Sequence, residues 1–266
     1  MRKGLTSLVV GALVAMVLQG GLLWLYYDPE PKQYCGDEKM YVESATKLMA
    51  GDPGWRPDLL WPALSPRLMA GAMSMAGDGG SAIWPVQILQ ILLLGGCAIL
   101  LFDLTRNLTG SKTAALVAST LAVLYPPLVA YTHYLWPEIP HLFCFLAAVW
   151  LLQTRWKSDG WCLLAGVSLG LALLFKLLLL PFVPLLLVAV IAANPRLRAV
   201  RSAAVVAAAL AVTIAPTMHA NYRRAGLPII ADSISYNVWI GLRDTARREF
   251  EKPVATGAYK EDRKST

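Results

Sequence analysis

The chain reads as an all-α integral membrane protein, with about seven transmembrane helices and amphipathic interfacial helices in its first outer loop. Three observations carry that reading. Of the 266 residues, 56% are hydrophobic and only 15% charged, with a mean hydropathy of +0.51, which fits a bilayer protein and not a soluble domain. Apolar runs close to the roughly 17–25 residues that cross a bilayer recur along the sequence. Lys and Arg cluster in alternate connections between those runs.

The first run, Leu5–Leu25, follows Arg2-Lys3 and lacks a small-x-small cleavage site before Tyr26, which favours an uncleaved helix over a secretory signal. Two short helices are expected in the outer loop 26–82. Asp37–Gly51 carries Met40, Tyr41, Ala45, Leu48 and Met49 at helical spacing and is stopped by Gly51-Asp52-Pro53-Gly54. Pro66–Met75 presents Leu68, Met69, Ala72 and Met73, and both helices should lie in the plane of the interface. Further spans are expected at Ile83–Phe102, Thr113–Tyr131, Trp136–Gln153, Trp161–Phe175, Leu177–Ala193 and Ser202–Thr217. The stretch Trp161–Ala193 is 33 residues, about 50 Å as one helix, too long for a hydrocarbon core of about 30 Å. It is therefore read as two helices hinged around Lys176, Pro181 and Pro184. Residues 1–241 form the membrane module, and the charged segment 242–266 reads as a mobile outer tail.

On a seven-span count Arg2, Lys3, Arg106, Lys112, Arg155, Lys157, Arg196, Arg198 and Arg201 share one side, which should be the cytoplasm. The loop 26–82, the turn Tyr131–Glu138, the hinge Phe175–Pro181 and the tail from His219 then share the other, so Asp37, Glu38, Glu138 and Lys176 meet on the outer face. The formal charge of +7 is explained by this bias or by an anionic lipid substrate, without nucleic acid. The four cysteines form no disulfide framework, because Cys97, Cys144 and Cys162 fall inside spans and only Cys35 lies outside. His133, His141 and His219 are not at metal-ligand spacing; a divalent metal is not indicated and a tightly bound cofactor is not expected. Gln87 and Gln90 should tie helices together.

Chemistry gathers at Gly36-Asp37-Glu38-Lys39-Met40-Tyr41. Adjacent carboxylates near a membrane are costly to desolvate and raise each other's proton affinity, which suits one of them to base work. Their alternative is to cap the helix that starts there. Glu138, between Pro137 and Pro140 and close to His133, Tyr134 and Trp136, is either a site residue or a solvated helix start. Lys176, flanked by Leu171–Phe175 and Leu177–Leu180, must snorkel or pair with an anion. Arg56, Arg67, Arg223 and Arg224 are further outer cations.

These residues resemble the GT-C glycosyltransferases, in particular the polyprenyl-phosphate-dependent branch that includes protein O-mannosyltransferases and aminoarabinose transferases. Gly36-Asp37-Glu38-x-x-Tyr41 with Ala45 and Gly51 looks like the family's first-loop motif, and Trp61–Pro66 like its proline-rich segment. Tyr134–Glu138 is similar to its acidic loop, and Gly166–Lys176 with Pro181 to its basic segment. His219–Gly241, ending Tyr236-Asn237-Val238-Trp239-Ile240-Gly241, resembles its outer segment. The chain stops 25 residues after Gly241, whereas many members continue.

The resemblance implies transfer of a sugar from a polyprenyl-phosphate donor to an acceptor hydroxyl on the extracytoplasmic face, with inversion. Asp37 is then the general base, with Glu38 and Glu138 as further catalytic groups. Lys176, Tyr41, Arg67, His133, Arg56, Tyr236 and Asn237 would bind substrate. The expected setting is a bacterial inner or plasma membrane, with membrane lipid, the lipid-linked sugar and an acceptor lipid, glycan or protein as partners, and room for a partner subunit. A transporter would place its charges in mid-span, unlike this chain. The remaining alternative is an inactive scaffold or lipid-presenting subunit. Convergence of Asp37, Glu138 and Lys176 on one cavity favours the enzyme, and dispersal favours the scaffold.

Overall fold

A computed structural model describes residues 16–17, 19–21, 36–52, 59–76, 83–193, 197–233, 236–239 and 241–242. All regular elements among these residues are helical. Two short helices, α1 (Glu38–Met49) and α2 (Leu64–Met73, continued by a 3-10 turn Ser74–Ala76), occupy the first loop. The rest of the helical body consists of α3 (Trp84–Thr109), α4 (Lys112–Leu124), α5 (Pro126–His133), α6 (Glu138–Arg155), α7 (Asp159–Phe175), a 3-10 segment Leu177–Phe182, α8 (Val183–Ala193) and α9 (Leu197–Ala225).

By length and composition α3 and α9 are apolar enough to cross a membrane, and α4 with α5 makes a third candidate if the bent pair is one span. The first expected span lies mostly outside the described residues. Its helical fragment is nonetheless located, because Gln19 donates to the Val123 carbonyl at 3.2 Å and Thr132 donates to Gln19 at 3.4 Å. Cys35, Arg56 and the segment from residue 243 onward also lie outside the described residues.

The run expected as one span over Thr113–Tyr131 is instead two helices bent by 47°. Pro126 and Pro127 supply no N–H to continue α4, and Pro126 pushes Tyr125 to ψ 114°, outside the helical region. The break expected between residues 161 and 193 is present. Lys176 is extended, at φ −156° and ψ 127°, and the chain beyond it winds as a 3-10 segment containing Pro181. A continuous α-helix would drive the Pro181 ring into the Leu177 carbonyl and the Pro184 ring into that of Leu180.

Two cores meet at α6. On one side Ala148, Leu151 and Leu152 pack with Ala165, Leu169 and Leu173 of α7 and Val206 and Leu210 of α9; on the other, Ile139 and Leu146 pack with Leu94, Cys97 and Ala98 of α3. The α7–α9 contact is set by Gly166 and Gly170. A Cβ on Gly166 would run into the Val206 carbonyl oxygen and lie 2.7 Å from the Ala209 Cβ, and one on Gly170 would lie 2.6 Å from the Thr213 Cβ. Two small residues four apart let helix backbones approach closely where lipid offers no hydrophobic drive between helices. Leu116, Val117 and Leu121 of α4, Leu163 and Leu164 of α7, and Leu185 and Val188 of α8 are exposed, an apolar outer surface suited to lipid.

Candidate active site

Gly36, at φ +55°, turns the chain into α1 and leaves Asp37 at its N-cap. Asp37 makes no side-chain cap hydrogen bond, so capping does not engage its carboxylate. Asp37 and Tyr41 are four apart on one face of α1, and both reach a common cavity. Glu38 points elsewhere. It is fully buried, and its Oε1 accepts a hydrogen bond from the Leu135 N–H at 2.8 Å. A buried carboxylate is tolerable only when its charge is met by such donors.

That bond holds the turn between α5 and α6 from one side, and α3 holds it from the other. Gln87 donates to the His133 carbonyl at 3.0 Å, and Gln90 donates to the carbonyls of Tyr134 at 2.7 Å and Thr132 at 3.4 Å. Trp136 then stacks on Tyr134 with ring centres 5.1 Å apart. Two residues on, Glu138 begins α6, and its Oε1 accepts from the Lys176 ammonium at 2.6 Å. Lys176 is aimed by the end of α7, where its N–H donates to the Ala172 carbonyl at 2.9 Å; the His141 Nδ1 meets the same oxygen at 2.9 Å.

The chain after α9 folds back onto the first loop. Asn221 donates to the carbonyls of Ile229 at 2.8 Å and Ile230 at 3.1 Å, and the Asp232 N–H donates to the Leu59 carbonyl at 2.7 Å. Ser233 and Asn237 are thereby delivered to the same place.

These segments enclose a cavity of about 450 Å³ whose walls include Asp37, Tyr41, Glu138, Lys176, Ser233 and Asn237, with Trp61, Trp136, Phe175 and Phe182 as aromatic sides. Asp37 is half-buried. Desolvation, reinforced by the nearby Glu138 charge and partly offset by Lys176, raises its carboxyl above the ordinary aspartate value of 3.8. Burial, with the charges of Asp37 and Glu138, raises the Tyr41 phenol well beyond its usual value, so it stays protonated at any physiological pH. The arrangement thus offers a proton acceptor, a cation and a neutral hydroxyl donor around a volume with greasy walls.

Of the residues singled out from the sequence, Asp37, Glu138, Lys176, Tyr41 and Asn237 converge here. Glu38 contacts the supporting turn, Arg67 is exposed on α2, and His133 and Tyr236 are not among the cavity walls. Trp61, Trp136 and Ser233 are walls to which sequence reasoning assigned no role, although both tryptophans stand inside quoted motifs, beside Pro62 and Pro137. Among the described residues no group of three or more His, Cys, Asp and Glu side chains is placed to hold a metal ion.

A family model described as dolichyl-phosphate-mannose-protein mannosyltransferase matches residues 62–219. The match spans more than half of the chain and takes in Glu138 and Lys176; Asp37 precedes it and Asn237 follows it. No curated protein and no solved structure matches the chain.

Proposed function

Because the chain belongs to the dolichyl-phosphate-mannose-protein mannosyltransferase family, a GT-C group of membrane glycosyltransferases, we propose that it transfers a sugar from a polyprenyl-phosphate donor to an acceptor hydroxyl in the cavity around Asp37. The observation that carries this reading is the meeting of Asp37, Glu138 and Lys176, from three separate segments, on one volume. Asp37 takes the proton of the acceptor hydroxyl as the oxygen attacks the anomeric carbon. The bond from that carbon to the phosphate oxygen breaks, and its electron pair leaves with the lipid phosphate toward Lys176. One such displacement inverts the anomeric centre. The raised proton affinity of Asp37 makes it a better base than an ordinary aspartate, and a fixed cation where charge develops stabilises the transition state without reorganisation.

The seven-span topology belongs to the same proposal, with the amino terminus in the cytoplasm and the cavity on the extracytoplasmic face of a bacterial inner or plasma membrane. Arg201 pairs with Asp159, and Arg198 donates to the Lys157 carbonyl at the opposite ends of α7 and α9 from the cavity, in keeping with a basic cytoplasmic side.

Transfer of radiolabelled sugar from a defined polyprenyl-phosphate donor, in vesicles carrying this chain, tests the proposal. Labelled product is expected with the wild-type chain, and Lys176→Met should weaken donor binding and slow turnover further. A chain that binds no polyprenyl-phosphate sugar and transfers none would overturn the reading in favour of a scaffold.

A further inference from the structure

Lys176 enters this reaction already partnered. Its ammonium lies 2.6 Å from Glu138, and Asp37 is a second carboxylate on the same cavity. Among the described walls a lipid phosphate arriving there meets one shared cation and two anions, so Lys176 needs a second group beside it. What such a cavity needs in addition is a hydrogen-bond donor that carries no charge and is not committed elsewhere.

The walls hold few such groups. The indole N–H groups of Trp61 and Trp136 lack hydrogen-bond partners among the described residues, but both nitrogens are sealed beneath the surface, where a ligand does not reach them without movement. Asn237 is exposed and Ser233 half-buried, so water competes for both. Tyr41 differs from all of these. It is 4% exposed, with Ala45, Met69 and Val86 in the cluster around it and Trp61 tilted against its ring at 6.3 Å. Its hydroxyl has no hydrogen-bond partner among the described residues. Within that packing the ring is fixed, so a bond from its hydroxyl costs little further ordering.

We propose that the Tyr41 hydroxyl is a second donor to the donor lipid's phosphate, acting with Lys176 on the oxygens that gain charge as the sugar departs. This rests on the reading of the cavity as a polyprenyl-phosphate site. Tyr41 donates a hydrogen bond and keeps its proton, and the electron pair of the broken bond stays on the phosphate. Burial, with the charges of Asp37 and Glu138 beside it, keeps the phenol from ionising, and so it remains a donor opposite an anion. The contact strengthens as the phosphate becomes a leaving group, so it acts on turnover as well as binding.

The test uses the full chain in lipid nanodiscs and a fluorescent polyprenyl monophosphate without sugar as probe. Tyr41→Phe keeps the packed ring and removes only the hydroxyl. It should weaken probe binding by about 10- to 100-fold, the worth of one hydrogen bond to a charged group, and lower kcat in the transfer assay. Lys176→Met is the control for the site. If Lys176→Met loses the probe while Tyr41→Phe binds it normally, the hydroxyl contacts something else and the inference is overturned, while the site reading stands. If neither variant loses the probe, the cavity is not the phosphate site and both readings fail. 3,5-Difluorotyrosine at position 41, whose phenol ionises at lower pH, gives a second readout independent of folding losses. Probe binding should then fall as the pH is raised through a range where the wild-type chain is unaffected. A pH response identical to wild type would overturn the inference.

Discussion

Asp37 and Glu38 are neighbours in sequence and do different things, because successive side chains on a helix point about 100° apart. Glu38 shares the buried stripe of Ala45 and closes a bond to Leu135, whereas Asp37 reaches the cavity. If Asp37 is the base, Asp37→Asn should cost about 10²–10⁴-fold in rate with the fold intact, since no cap hydrogen bond is lost. Near-normal turnover in a folded Asp37→Asn chain would remove it from that role. The pH profile gives a finer check. A base must be deprotonated, so a raised carboxyl sets the acid limb of kcat/KM above the ordinary value of 3.8, and activity is lost as pH falls through that limb. Glu138→Gln removes a charge that raises Asp37 and frees Lys176 to lower it, so the limb should move to lower pH. Lys176→Met removes the opposing charge, so the limb should move to higher pH. Titrating kcat/KM in both variants checks the signs, and shifts in the opposite senses would rule out Asp37 as the titrating group.

Among the elements, the pair α7–α9 and the turn before α6 bear most directly on the site. Gly166 lies where a side chain would meet the Val206 carbonyl oxygen of α9, which is backbone and cannot rotate away. Gly166→Val should therefore separate the two helices at a cost of about 1–3 kcal/mol, the usual range for overpacking, and lower the melting temperature in detergent. Unchanged melting would mean that the helices do not approach this closely. Gln90 acts on the site from a distance. Gln90→Leu strips a donor from the Thr132 and Tyr134 carbonyls, and each hydrogen bond lost is worth about 0.5–1.5 kcal/mol. The turn carrying Trp136 and Glu138 should loosen, and kcat should fall although Gln90 is not a wall of the cavity. Full activity at an unchanged melting temperature would show that Glu38 and Gln87 hold the turn without it.

At the scale of the whole molecule the test is orientation. Ser74 follows α2 in the first loop and Ser158 precedes α7 at the basic end, and both are exposed. In a chain with its native cysteines replaced, a membrane-impermeant maleimide added from outside should label Ser74→Cys and not Ser158→Cys. Labelling of Ser158→Cys from outside would reverse the topology.

Class and element order were legible in the sequence alone, because a bilayer demands long apolar segments and satisfied backbones, and both leave plain traces in composition and spacing. The hinge at Lys176 was legible for the same reason, since a proline-interrupted run of 33 residues has no other way to fit. The 47° break at Tyr125 was missed although Pro126-Pro127 announces it, because the apolar run continues across it. Only the tertiary structure decided which polar residues meet. Glu138 and Lys176 are 38 residues apart, and Glu38 and Leu135 are 97 apart, and local periodicity carries no information about partners at such separations. Glu138 reaches Lys176 because α6 and α7 pack together through Ala148, Leu151 and Leu152 against Ala165, Leu169 and Leu173, and Glu38 reaches Leu135 because α1 packs into the cluster that holds Leu135. Those contacts depend on the shapes of side chains brought together from distant parts of the chain, and they exist only once the helices are assembled.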